Sequence, residues 1–165
     1  MASMVEYQVI GARGRVERPK ELLRRLQMVN EGNVLALDAD LVCGKEHLES
    51  AVAHALRSFA RNSNSCNDIM METLLFASGE RQISKAQEKM GPKPGSERIA
   101  LVLFGAPLTM VLRLSELERD DSVLECNERK TRSFGITQRE IEAVGDDRAQ
   151  DLVLERVAFV EISKR

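Results

Sequence analysis

The stretch that most restricts the fold is IALVLF, Ile99 to Phe104, six apolar residues in a row. A half-exposed strand alternates apolar and polar residues, so an unbroken run of this length predicts a central strand covered on both faces. Two further strands are legible. The segment Met4 to Gly14 alternates Val5, Tyr7 and Val9 and ends in glycines, and NVLALDA, Asn33 to Ala39, reads as the second.

Helical patterns fill the intervals. Pro19 opens a helix at its first turn, Leu22, Leu23, Leu26 and Val29 carry its spacing, and Gly32 closes the segment. After Gly44, the residues Leu48, Ala51, Val52, Ala55, Leu56 and Phe59 form one apolar stripe facing a core. The loop Arg61 to Asp68 offers Ser65 or Asn67 as a cap for a helix over about Asp68 to Ala77. That helix carries Ile69, Met70, Met71, Leu74, Leu75 and Phe76 around most of its circumference, so both its sides are expected to be covered. The stretch GPKPGS, Gly91 to Ser96, is a loop on composition. Thr137 and Glu140 fit a capping box with Ile136 and Ile141 at the staple positions, and Gly145 ends that short helix. Ala149 to Ile162 fits either period, and its Ala, Leu, Glu and Arg content favours helix. The expected class is α/β or α+β, with a small mixed or antiparallel sheet of about four strands packed with several helices in a single domain, 1–165.

A chain of 165 residues can bury a real core, and its 43% apolar and 30% charged residues suit a soluble globular protein. The net charge of −2 gives no global attraction for nucleic acid, so such binding would need a local patch. Charge is unevenly distributed. Six basic residues against two acidic ones lie between Arg13 and Arg25, and six acidic against one basic between Glu116 and Glu128. These runs either polarise the surface toward an anionic partner or simply solvate it. Cys43, Cys66 and Cys126 are an odd number without short spacing, so reduced, mostly buried thiols in a cytoplasmic protein are expected, with neither a zinc site nor a disulfide framework. No stretch approaches the roughly 20 apolar residues of a membrane helix, and MASM lacks the regions of a signal peptide. A soluble chain with no membrane association is expected.

The search for chemistry returns no catalytic residue, metal site or cofactor motif. His47 and His54 stand seven residues apart on one helix, roughly 10 Å of rise, too far to ligate one metal together. The glycines of GARG, Gly11 to Gly14, have neither Walker nor dinucleotide spacing. The acidic neighbours Asp38 and Asp40, and Asp120 and Asp121, have no evident partner that would separate their pKa values.

The segment LLFASGERQISKA, Leu74 to Ala86, is different. An apolar helix breaks at Ser78-Gly79 and a second helical pattern restarts at Glu80. Its first-turn amides form a preformed anion site, where Glu80 is well placed and Arg81 gains nothing from the dipole. Arg81 therefore either pairs with an acid such as Glu72 or awaits a phosphate.

The order GKEHLESAVAHALRSFAR, METLLFASGERQISKAQEKMG and ERIALVLFG, with FGITQREIEAV and LVLERVAFVEI near the end, resembles the KEOPS subunit family related to the PRPK-binding protein. The resemblance runs from about Asn33 to the end, and SGERQISKA is its most specific part. KEOPS installs threonylcarbamoyl on the adenosine beside the anticodon of ANN-decoding tRNAs. The resemblance implies a noncatalytic adaptor, without cofactor, that binds and regulates the small atypical kinase/ATPase subunit and helps hold tRNA by its 3′ CCA end. Carried onto this chain, it makes Arg81 and Lys85 candidates for tRNA phosphates, Gln82 for a base edge and Ile83 for packing on a base. Lys45 and Arg57 are further backbone candidates, and Met71, Leu75, Val153 and Val157 are expected at the kinase interface. The alternatives are a kinase-regulatory protein with no direct RNA role and a small-molecule enzyme with a scattered site.

Overall fold

The apolar run lies in β3, Ser96–Phe104, and Ile99 to Phe104 are all buried. The computed structural model describes residues 6–163, so Met4 and Val5 of the expected first strand lie outside the described residues. β3 pairs antiparallel with β1, Tyr7–Val16, and with β2, Asn33–Asp38, aligning Tyr7 and Asn33 on either side of Phe104. A two-residue β4, Glu118–Arg119, adds to β1, giving the strand order β2-β3-β1-β4. The described residues combine this antiparallel sheet with helices in a mixed α and β fold.

The chain forms two compact units, each built from two segments. The first, residues 1–39 and 92–123, contains the sheet with α1, Pro19–Leu26, and α5, Leu108–Ser115. Pro19 stands at the first helical position, where its missing N–H costs no hydrogen bond. Leu22 and Leu26 of α1 and Val111 of α5 pack with Ile10, Ala12, Ile99, Leu101 and Leu103 into one cluster. Each Leu, Ile or Val among them contributes roughly 1.5–3 kcal/mol on burial. α5 carried no recognised signal in the sequence. Gly32, at φ +74°, turns the chain beside Gly105 and Ala106 so closely that a Cβ would meet backbone atoms.

The two charge runs meet in the first unit. Arg13 pairs with Asp120, and Arg25 pairs with Glu116 at 2.8 Å and with Glu21 at 3.5 Å. Arg119 meets Asp121, and Arg24 meets Glu21. Two ion pairs, Arg13–Asp120 and Arg25–Glu116, thus join the basic run to the acidic run inside the first unit. Asp120 shows the consequence: hydrogen bonds from Ser122 and Arg13 hold its carboxyl down at about 2.

The second unit, residues 40–91 and 124–165, is helical among the described residues. α2, Lys45–Ala60, buries the expected Leu48, Ala51, Val52 and Ala55. α3, Ile69–Ser78, buries every residue from Glu72 to Ser78, which explains its apolar circumference. Asp68, rather than Ser65 or Asn67, caps it, because Asp68 is extended and its Oδ1 accepts the Met71 N–H at 2.8 Å. The capping box of α7, Gln138–Val144, is present, with Glu140 N–H to Thr137 Oγ1 at 3.2 Å and Thr137 N–H to Glu140 Oε2 at 2.7 Å. α8, Ala149–Ser163, is the favoured helix. Its buried Ala149, Val153, Val157 and Val160 follow helical spacing, while apolar residues elsewhere on it mimic alternation. A further helix, α6, Glu128–Phe134, is capped by Asn127, whose Oδ1 accepts the Lys130 N–H.

The cysteine expectation is corrected. Cys43 and Cys126 form a disulfide with Cα atoms 4.1 Å apart, across a sequence separation of 83, and Cys66 stays outside the bridge. Residues so distant in sequence leave no local signature of their pairing. No helix among the described residues is long and apolar enough to cross a membrane.

Candidate functional site

The corner is built by one serine and one glycine. Ser78 ends α3, its Oγ donating to Leu75 O at 2.9 Å and accepting the Glu80 N–H at 3.1 Å. Gly79 takes the left-handed conformation, φ +74°, that a helix end of this type requires. Because Ser78 engages the Glu80 amide, Glu80 does not start the next helix as expected. Gln82, extended at φ −115° and ψ 133°, precedes α4, Ile83–Met90. Its side chain makes no capping hydrogen bond, so the first-turn amides remain available to another acceptor. Arg81 and Gln82 are exposed just before that turn, while Ile83 (partly buried) and Lys85 (exposed) lie within it. The four candidates from the SGERQISKA motif therefore stand together at one helix start.

The expected Arg81–Glu72 pair does not form. Glu72 is fully buried, and its carboxylate accepts the N–H groups of Ser65 and Cys66, each at 3.0 Å, ordering the loop before α3. Arg81 makes no ion pair among the described residues. Lys45 lies in the first turn of α2, at the end tied to α3 by His47. Arg57 is also exposed, but about 18 Å farther along the same helix by its rise, away from that end.

Beneath the corner lie three residues that carried no site signal in the sequence. The Lys89 ammonium donates to Ser78 O at 2.8 Å, stands 4.0 Å from Glu80 Oε1 and sits 3.8 Å from the centroid of the Phe134 ring. Burial pushes its pKa down, against the opposing charge of Glu80. The Phe134 ring meets His47 edge-on at 5.2 Å between centroids. His47 Nδ1 accepts the Cys43 N–H at 3.0 Å, so Nε2 carries the proton that it donates to Ala77 O at 2.8 Å. Burial is the main reason the His47 pKa falls to about 4, with the charges of Lys89 and Lys130 adding to it and the Ala77 bond opposing it. Arg156 also backs onto Gly79 and pairs with Glu140.

The expected kinase-facing residues divide. Leu75, Val153 and Val157 are 1%, 0% and 0% exposed, so they are core residues of their own unit and not surface contacts. Apolar side chains on one helix face pack inward when neighbouring helices cover that face. Met71 is partly exposed, with its sulfur 3.7 Å from Gln87 Nε2. The apolar surface of α8 instead comes from Phe159, 55% exposed, and Ile162, 66% exposed. Glu161 between them is held by His54 and Arg61, each at 3.2 Å. In the first unit, a cavity of about 510 Å³ is lined by Arg15, Glu17, Glu21, Arg25 and Glu116, charges that face one another in pairs.

Comparison with known proteins adds a second line. A family model described as kinase binding protein CGI-121 matches residues 15–159. The regulatory protein Cgi121 of Methanocaldococcus jannaschii is 35% identical over 130 residues, covering 78% of this chain and 83% of that protein.

Proposed function

The chain belongs to the kinase binding protein CGI-121 family, and from this premise we propose that it is a noncatalytic, cytoplasmic adaptor of the KEOPS tRNA-modification machinery. It binds and regulates the small atypical kinase/ATPase subunit and holds tRNA by the single-stranded 3′ CCA end. The observation that carries the RNA part is the start of α4, where Arg81, Gln82 and Lys85 are exposed beside uncapped amides. Cationic side chains and a helix N-terminus together suit phosphate oxygens, while Gln82 and Ile83 suit a base edge and a base face. Lys45 supports the same end of the unit. A contact by Arg57 would require RNA extending along α2. The kinase part draws on the family description and on Phe159, Ile162 and Met71, apolar groups with exposed surface that the unit's core does not absorb.

The test is a fluorescence-anisotropy titration of labelled tRNA, with and without its 3′ CCA, at one fixed salt concentration, because phosphate binding depends steeply on salt. Binding that requires the CCA and weakens in Arg81→Ala at unchanged Tm is the expected result. Equal binding to both tRNAs would mean nonspecific charge. No binding would favour a kinase regulator without a direct RNA role, the reading closest to the family description, and co-elution with the kinase would then decide.

A further inference from the structure

The corner has a mechanical problem. Gly79 is the residue least able to hold a backbone still, yet Arg81 follows it by two positions. A binding arginine on a loose turn would pay an ordering cost on every association. The structure contains a solution in Lys89, in the last turn of α4 and facing back onto α3. Its ammonium meets the carbonyl of Ser78 before the glycine and the carboxylate of Glu80 after it, at 2.8 and 4.0 Å. Phe134 closes the other side of the same ammonium at 3.8 Å, and its ring edge would lie 3.7 Å from a Cβ placed on Gly79. His47 holds the preceding carbonyl, Ala77 O, and packs edge-on against the same ring. Successive carbonyls at the end of α3 are therefore capped by side chains from α2 and α4 that share one aromatic platform from α6.

We propose that Lys89 is the positioning residue of the corner: by bridging the residues on both sides of Gly79, it presents Arg81 and the α4 amides in a preset geometry. This rests on the reading of the corner as an RNA-end site. Lys89 itself does not need to touch RNA. A Met at this position preserves much of the stem but bridges nothing, whereas an Arg keeps a cation able to reach both oxygens and stack on the ring.

The test is a double-mutant cycle on the full chain, with labelled tRNA carrying an intact CCA end as the probe and hydrogen exchange as a second readout. Arg81→Ala and Lys89→Met are each expected to weaken binding about tenfold, and the double variant to bind no more weakly than either by more than about twofold. Lys89→Arg is expected to recover most of the affinity, and Lys89→Met to speed amide exchange at residues 79–83 with little change elsewhere. A merely structural lysine would give independent, multiplicative losses, and that result would overturn the proposal. Loss of binding in Arg81→Ala but none in Lys89→Met would overturn it while leaving the RNA reading intact. Wild-type affinity in Arg81→Ala would overturn both.

Discussion

The Nε2–H of His47 donates to the carbonyl oxygen of Ala77 across 2.8 Å, joining the first turn of α2 to the last turn of α3 in a fully buried position. A buried imidazole with one nitrogen accepting and the other donating must stay neutral, because protonation would turn the acceptor facing the Cys43 N–H into a second donor. The pKa lies at about 4 instead of the ordinary 6.5, so between those values the unfolded chain binds a proton that the folded chain refuses. Stability is therefore full above pH 6.5 and falls as pH drops toward 4, by on the order of 3 kcal/mol. His47→Leu should cost about 2–3 kcal/mol at neutral pH by stranding the Cys43 N–H and the Ala77 carbonyl, and should flatten that slope. Denaturant melts across the pH series check both. An unchanged slope in the variant would assign the effect to another group.

Glu72 acts as an internal cap for the loop of residues 63–68, accepting the amides of Ser65 and Cys66. Glu72→Gln retains one acceptor oxygen and loses the charge, and should destabilise the chain by about 1–2 kcal/mol. Amide exchange at Ser65 and Cys66 should rise above the change seen at other sites. Exchange that rises evenly along the chain would contradict a local role.

Thr73 Oγ1 is buried without a hydrogen-bond partner among the described residues, although its neighbour Glu72 is well satisfied. Thr73→Val replaces the hydroxyl by a methyl of similar size, and should raise stability by about 1 kcal/mol because an unpaired buried hydroxyl carries a desolvation cost. A thermal melt reads the sign directly, and a lowered Tm would reveal a partner for that oxygen.

α8 separates core from surface within two turns. Val153→Asp buries a carboxylate and should prevent folding, whereas Phe159→Asp should shift stability by no more than about 0.5 kcal/mol. If the exposed part of α8 receives the kinase, Phe159→Asp abolishes co-elution with it on size exclusion while the circular dichroism spectrum is retained. Retained co-elution would move the interface elsewhere.

The legible parts of the sequence share one property: their cause lies within a few residues. Six consecutive apolar residues need cover on two sides, and Ile99 to Phe104 have it. Thr137 and Glu140 satisfy each other's amides across one turn. Gly79 readily takes the left-handed turn that ends a helix, so the corner and its grouping of Arg81, Gln82, Ile83 and Lys85 could be read before any coordinates. The start of α4 was misplaced by a local competitor, the Ser78 hydroxyl on the Glu80 amide, which periodicity does not register.

What only the tertiary structure decided spans tens of residues. Whether an apolar residue of α3 or α8 faces the core or a partner depends on which helices lie beside it, and Leu75, Val153 and Val157 turned inward. Arg13 found Asp120 across 107 positions and Cys43 found Cys126 across 83, pairings that neither charge runs nor cysteine spacing specifies. The capping of the α3 carbonyls by His47 and Lys89 belongs to the same class, since it exists only where α2, α4 and α6 converge. Helix ends, capping residues and hydrophobic period are set by neighbours along the chain. Ion pairing, burial and the stiffness of the corner are set by neighbours in space, and a chain acquires those only when it closes on itself.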